Sequence, residues 1–267
     1  MGLQIENATE LFVREYGAGS PLLLLHGLMA TGDMFRSVVA TLATQHRLIV
    51  PDLRGHGRSA HLPGPYSAWQ LAADLGHLLD QLGLGKVDVL GYSHGGAVAQ
   101  QFALDHPRRL RRLVLACTYA HNMLTPREHF EGFLAPWLTR LLGPRSLAAL
   151  MMRSGAGGGP PLPPDVAQGF IDMLGSNRRA QMAAAARDLA VFDSRPRLKE
   201  IVAPTLVIAG SVDQAVPIAH ARMLAAGIPH AELHIIEGAG HTLIWTHPDL
   251  LMSLFESWLS GDNPQRA

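Results

Sequence analysis

Short apolar runs recur along this chain, separated by longer stretches in which apolar and polar positions are mixed. Leu22-Leu23-Leu24-Leu25, Arg47-Leu48-Ile49-Val50, Val87-Asp88-Val89-Leu90, Leu113-Val114-Leu115-Ala116, Thr205-Leu206-Val207-Ile208 and Leu233-His234-Ile235-Ile236 have strand length and read as buried strands. Two β-rich pieces, residues 2–6 and 10–16, precede them and are joined through Asn7-Ala8-Thr9 as a hairpin, which makes eight strands. Between most of these runs lie segments with apolar residues at helical spacing, such as residues 67–83, which Gly83 and Gly85 bring to a stop. Strands alternating with helices imply an α/β domain: a mostly parallel sheet with helices on both faces.

The alternation fails between residues 120 and 195. That stretch is rich in Met, Leu, Ala and Arg, has helical periodicity throughout, and is broken by Gly155-Ala156-Gly157-Gly158-Gly159-Pro160-Pro161-Leu162-Pro163-Pro164. It reads as a helical cap inserted into a core made of residues 1–119 and 196–267. The glycine and proline run reads as a flexible connection between cap helices. A phosphate-binding loop would be preceded by a strand and followed by a lysine, and neither is present.

Composition narrows the function classes. The 267 residues, 48% of them hydrophobic, suit one domain with a sizeable core. The 22 basic and 22 acidic side chains cancel, so no net field favours nucleic acid or an anionic membrane, and a small near-neutral substrate fits better. Cys117 is the only cysteine, which excludes an internal disulfide and a multi-cysteine zinc site. The opening residues lack a basic segment followed by a long apolar stretch, and no apolar run has membrane-spanning length, so a cytoplasmic location is expected.

Candidate chemistry centres on Gly91-Tyr92-Ser93-His94-Gly95. A Gly-x-Ser-x-Gly sequence directly after an apolar strand and before a helix describes a nucleophile elbow, with Ser93 at a tight, strained turn. A serine hydroxyl is a weak nucleophile at neutral pH, so it needs a base within reach and a carboxylate to orient that base. His241, in Gly238-Ala239-Gly240-His241, follows the last strand, where ligand crevices open in such sheets. Asp213 follows the strand before it. Asp52, Asp74, Asp80, Asp88, Asp188 and Asp193 are the other acidic candidates.

Taken in order, these segments resemble the α/β-hydrolase superfamily, and within it the esterase-like members that carry a cap. The resemblance rests on Leu25-His26-Gly27-Leu28, Pro51-Asp52-Leu53-Arg54-Gly55-His56-Gly57-Arg58-Ser59, Gly91 to Gly96, Gly210 to Asp213 with Pro217, and Gly240-His241. It implies that the backbone N–H groups of Leu28 and His94 form an oxyanion hole, and that no metal or other cofactor takes part. Some members carry the acid after the strand that ends here near Ala116; Cys117 and Thr118 offer no carboxylate, which favours Asp213. Where relatives often have a glutamate before the final helix, this chain has Trp245-Thr246-His247-Pro248, with Thr246 as a candidate cap for that helix.

The implied activity is cofactor-free hydrolysis of carboxylic esters, lactones included, through an acyl-enzyme. Carbon–carbon bond hydrolysis of diketone-like compounds and perhydrolysis are the enzymatic alternatives, and a ligand-binding receptor is the non-enzymatic one. The expected partner is a small-molecule ester or lactone, bound by a monomer or homodimer. In the cap, Met123, Phe130, Phe133, Trp137, Met151, Met152, Met173 and Met182 supply apolar, deformable side chains. Met123, Phe130, Phe133, Trp137 and Met152 are taken as substrate contacts, with a place in the cap's own core as the alternative for each. The imidazole of His94 could likewise line the pocket or simply pack.

Overall fold

The computed structural model describes residues 10–260. Seven strands are present among them: β1 (Val13–Tyr16), β2 (Ser20–Leu25), β3 (His46–Pro51), β4 (Val87–Tyr92), β5 (Leu110–Ala116), β6 (Thr205–Gly210) and β7 (Ala231–Ile236). The strand expected over residues 2–6, and its half of the hairpin, lie outside the described residues. The sheet runs in the order β1-β3-β2-β4-β5-β6-β7, and only the β1–β3 pair is antiparallel.

Burial on both faces explains why the strands read as unbroken apolar runs. Leu23, Leu25, Ile49, Val89 and Leu115 belong to one core, while Leu22, Leu24, Leu48, Val50 and Leu90 belong to the other. The period of two thus hands alternate residues of the same strand to opposite layers. On the first layer pack α2 (Ala68–Gln81), α3 (His94–Asp105) and α8 (Ile218–Gly227), which contribute Leu71, Phe102 and Leu224. The second is closed by α1 (Arg36–Leu42), the short α9 (Leu243–Thr246) and α10 (Pro248–Ser260), with Val38, Ile244 and Phe255.

From β2 the chain proceeds to β3 on one side, and from β4 to β5, β6 and β7 on the other. Reversal of direction between β2 and β4 opens a crevice beyond their C-terminal ends, the usual ligand position in such sheets. Between β5 and β6 stand four helices, α4 (Pro126–Leu142), α5 (Pro144–Ser154), α6 (Pro164–Gly175) and α7 (Arg179–Ala190). They lie within the stretch read as an insertion. Thr125 opens α4 with a capping box: its Oγ1 accepts from Glu128 N at 3.2 Å, and Glu128 Oε2 accepts from Thr125 N at 2.8 Å. Asn177 ties the segment to the core, donating to Met29 O at 2.5 Å and accepting from Gly57 N at 2.8 Å.

Thr246 does not cap the final helix. It ends α9, turns its hydroxyl towards Thr242 O at 3.3 Å and pairs with His247 Nδ1 at 2.8 Å. The final helix begins at Pro248, a residue whose missing N–H costs nothing in a first turn. No helix among the described residues is long and apolar enough to cross a membrane.

Candidate active site

Ser93 joins β4 to α3 with φ 54° and ψ −120°, a conformation that L-residues with side chains rarely adopt. Three hydrogen bonds fix the turn. Ser93 N donates to Ala116 O at 2.9 Å, and Ser93 O accepts from Thr118 Oγ1 at 2.6 Å and Gly96 N at 2.9 Å. A Cβ on Gly95 would lie 2.1 Å from Leu25 O, so the first turn of α3 can approach β2 only because residue 95 has no side chain. Gly95→Ala is therefore expected to cost about 2–3 kcal/mol, because the obstructing atom is backbone and cannot rotate away. Urea unfolding would read this as a lower midpoint at unchanged slope; an unaltered midpoint would show that the elbow can yield.

The structure brings Ser93, His241 and Asp213 together. His241 Nε2 lies 3.1 Å from Ser93 Oγ, and His241 Nδ1 lies 2.9 Å from Asp213 Oδ2. Asp213 is buried, and its other oxygen accepts from Ala215 N at 2.9 Å and Val216 N at 2.8 Å. A carboxylate held this way can only accept, which places the imidazole proton on Nδ1 and leaves the Nε2 lone pair facing the serine hydroxyl. Burial lowers the His241 pKa, but the charge and hydrogen bond of Asp213 outweigh it and the net effect is upward.

The other acidic candidates are engaged elsewhere. Asp52 accepts from Gly32 N and Arg58 N, and Asp188 from Tyr66 N. Asp74, Asp80, Asp88 and Asp193 pair with Arg54, Arg109, Arg111 and Arg195 respectively.

His94 follows Ser93 directly in the chain, and Gly27, the residue before Leu28, packs against the serine. An ideal Cβ on Gly27 would lie 3.8 Å from Ser93 Oγ, so the backbone just before Leu28 passes close to the serine. His94 opens α3, so its N–H is among the first-turn donors that have no acceptor within the helix, at the positive end of the helix dipole. Its side chain is buried with His26 and His56, and neither ring nitrogen of His94 has a hydrogen-bond partner among the described residues. Burial lowers the pKa of His94 to about 3 and that of His56 to about 4, and takes His26 well below the usual histidine range. The His94 imidazole is thus a neutral, packed group.

Two supports of the histidine escape a reading of local sequence. Tyr92 Oη donates to His241 O at 2.7 Å from below. From the glycine and proline run, Gly157 O accepts from His241 N at 2.7 Å. The glycine and proline run is therefore more than a flexible connection: a Cβ on Gly158 would lie 1.9 Å from Val212 O, and one on Gly240 would lie 2.1 Å from Gly158 O. The run has glycines because its backbone lies directly on the loops that carry Asp213 and His241.

Cys117 Sγ, Asp213 and His241 offer ligand atoms within 4.8 Å of one another. Burial pushes the Cys117 thiol up, and Asp213 and His241 already bond each other.

Phe130, Phe133 and Trp137, expected as substrate contacts, are 64%, 69% and 67% exposed. The latter two line a surface groove of about 370 Å³ with Arg140 and Arg187. Apolar residues occur all round α4, and its packing against α7 buries Pro136 and Thr139 instead. Met123 lies beside Gly132 of α4, Met152 is half-buried on α5, and Met182 is buried within α7.

Known proteins show which family the fold belongs to. Residues 20–248 match the family model for the alpha/beta hydrolase fold. Over 248 residues the chain is 31% identical to a poly(3-hydroxyalkanoate) depolymerase of Ectopseudomonas oleovorans, covering 93% of this chain and 87% of that one. It is 27% identical to a 2-hydroxy-6-oxo-6-phenylhexa-2,4-dienoate hydrolase of Burkholderia cepacia, covering 94% of this chain and 91% of that one. Among solved structures, a thermophilic esterase from Thermogutta terrifontis superposes with a TM-score of 0.84 at 30% identity, covering 98% of both chains.

Proposed function

The chain belongs to the alpha/beta hydrolase fold family, and from that premise we propose that it is a serine hydrolase that cleaves carboxylic esters through an acyl-enzyme. One observation carries the proposal: the unbroken hydrogen-bond chain from Ser93 Oγ through His241 to Asp213. In the proposed cycle Ser93 Oγ attacks the ester carbonyl while His241 Nε2 takes its proton. Asp213 holds the imidazole tautomer and balances the charge that develops on the ring. The N–H groups of Leu28 and His94 receive the oxyanion, a contribution of about 3–4 kcal/mol per fixed donor.

Collapse of the tetrahedral intermediate then returns the proton from His241 to the leaving alcohol. Water, deprotonated by the same imidazole, releases the acid and restores the serine. Residues 120–195 act in this proposal as a cap over the crevice. The Thermogutta esterase, similar along the whole chain, supports ester hydrolysis. The Burkholderia hydrolase, at lower identity, keeps carbon–carbon bond cleavage as the second reading.

Two measurements on p-nitrophenyl butyrate test the leading reading. A fluorophosphonate should label Ser93 once per chain and stop turnover. Because His241 must be neutral to accept a proton and Asp213 raises its pKa, kcat/KM should climb with pH to a plateau whose midpoint lies above the ordinary histidine value of about 6.5. Turnover that persists after labelling, or a rate flat between about pH 5 and pH 8, would count against this mechanism.

A further inference from the structure

Tyr119 and His220 are each 2% exposed, yet the Tyr119 hydroxyl and His220 Nδ1 have no hydrogen-bond partner among the described residues. Buried polar groups normally find partners, so two adjacent exceptions call for a reason. Their rings meet edge to face, with centroids 6.1 Å apart and planes at 71°. Around Tyr119 the wall is apolar: Ala68, Ala97, Leu189, Phe192 and Val216, with the half-buried Leu28 packed against them.

This cluster adjoins the candidate site on three sides. Leu28 follows the glycine that touches Ser93, Ala97 lies in the first turn of the helix after Ser93, and Val216 N donates to Asp213. Leu189 and Phe192 come from the inserted segment and its exit, so the cluster lies at the seam between core and cap. We propose that Tyr119 and His220 form a polar subsite that selects, among ester substrates, those that carry a free hydroxyl group. The inference rests on the ester-hydrolase reading and names a substrate class for it.

The chemistry of the two groups defines that class. His220 Nε2 lies 2.7 Å from Glu128 Oε1, and Glu128 Oε2 is itself held by the backbone of Leu124 and Thr125. The carboxylate can only accept, so the Nε2 proton points at Glu128 and a neutral His220 presents a lone pair on Nδ1. Burial pushes the Tyr119 phenol up and keeps it protonated, so it presents an O–H donor. A substrate hydroxyl satisfies both at once, accepting from Tyr119 and donating to His220. A methylene satisfies neither, and a carbonyl oxygen cannot donate to Nδ1.

The test compares ethyl hexanoate with ethyl 3-hydroxyhexanoate, ethyl 6-hydroxyhexanoate and 2-hydroxyethyl hexanoate, which place the hydroxyl at three positions. At least one hydroxylated ester should exceed ethyl hexanoate in kcat/KM by tenfold or more. Tyr119→Phe should erase that ratio while the thermal midpoint holds or rises, since the substitution removes an unpaired buried hydroxyl. Ratios near one for all three esters, or a variant that slows every ester equally, would overturn the subsite.

Calorimetric titration into Ser93→Ala separates the subsite from the reaction. There the favoured hydroxy ester should bind about tenfold tighter than ethyl hexanoate, a preference lost in Ser93→Ala/Tyr119→Phe. A preference that persists in Ser93→Ala while the wild type hydrolyses no ester would overturn the reaction alone. Equal binding of all four esters would overturn the subsite alone.

Discussion

Ser93→Ala is expected to lower kcat for p-nitrophenyl butyrate by about 10⁴- to 10⁶-fold while leaving the fold intact. The serine is half-buried at the end of β4, and its Oγ bonds only His241, so alanine removes the nucleophile without opening a cavity or stranding a buried partner. Asp213→Asn should cost about 10⁴-fold by a different route. An amide at residue 213 can present its NH₂ to Nδ1, which moves the imidazole proton to Nε2 and turns the base away from its task. Removing both should cost little more than removing the serine alone, because groups that act as one unit are not additive. Steady-state kinetics with active-site titration would measure all three. Losses under tenfold in Ser93→Ala would show that another group carries the chemistry.

Acid should unfold this protein over a range set by buried histidines. His26, His56 and His94 are at most 1% exposed, and burial lowers their pKa values, to about 4 for His56 and about 3 for His94. Unfolded, each titrates near the ordinary value of about 6.5. Above that pH both states are neutral and the cluster contributes no pH dependence. Below it the unfolded chain takes up protons that the native state refuses, so stability falls as pH drops from about 6.5 towards 4. At about 3 kcal/mol for each of the three, the cumulative loss by pH 4 is on the order of 10 kcal/mol, comparable with the whole stability of many domains.

His241 works in the opposite sense. Its pKa is raised, so its share is complete at acid pH and disappears as pH rises through the native value. Urea unfolding at a series of pH values would check the prediction. His94→Leu, which removes two unpaired nitrogens and breaks no side-chain hydrogen bond, should flatten the slope by about one proton's worth. An unchanged slope in that variant, or stability level from about pH 6.5 to pH 4.5, would refute the account.

Much of the fold was legible because burial on both faces of a parallel sheet leaves long apolar runs. The runs at 22–25, 87–90 and 205–208 lie within Ser20–Leu25, Val87–Tyr92 and Thr205–Gly210. Ser93, Asp213 and His241 could be proposed from sequence because each follows a strand at the same sheet edge, beside glycines that a tight turn demands.

What stayed hidden depends on contacts between residues 120–195 and the rest of the chain. Hydropathy could not show which side of α4 meets α7, so the large exposure of Phe130, Phe133 and Trp137 was not legible. Nor could composition distinguish a slack glycine run from one pressed onto Val212 and Gly240, since both look alike as letters. Tyr119 and His220 are 101 positions apart by residue number, and only packing makes them neighbours.

The bond from His241 N to Gly157 O ties the glycine run directly to the loop that carries residue 241. Any excursion that lifts residues 157–159 also breaks that bond and frees the backbone that positions the imidazole. A substitution that loosens the run should therefore loosen the imidazole as well, unless a new tether for residue 241 is supplied elsewhere.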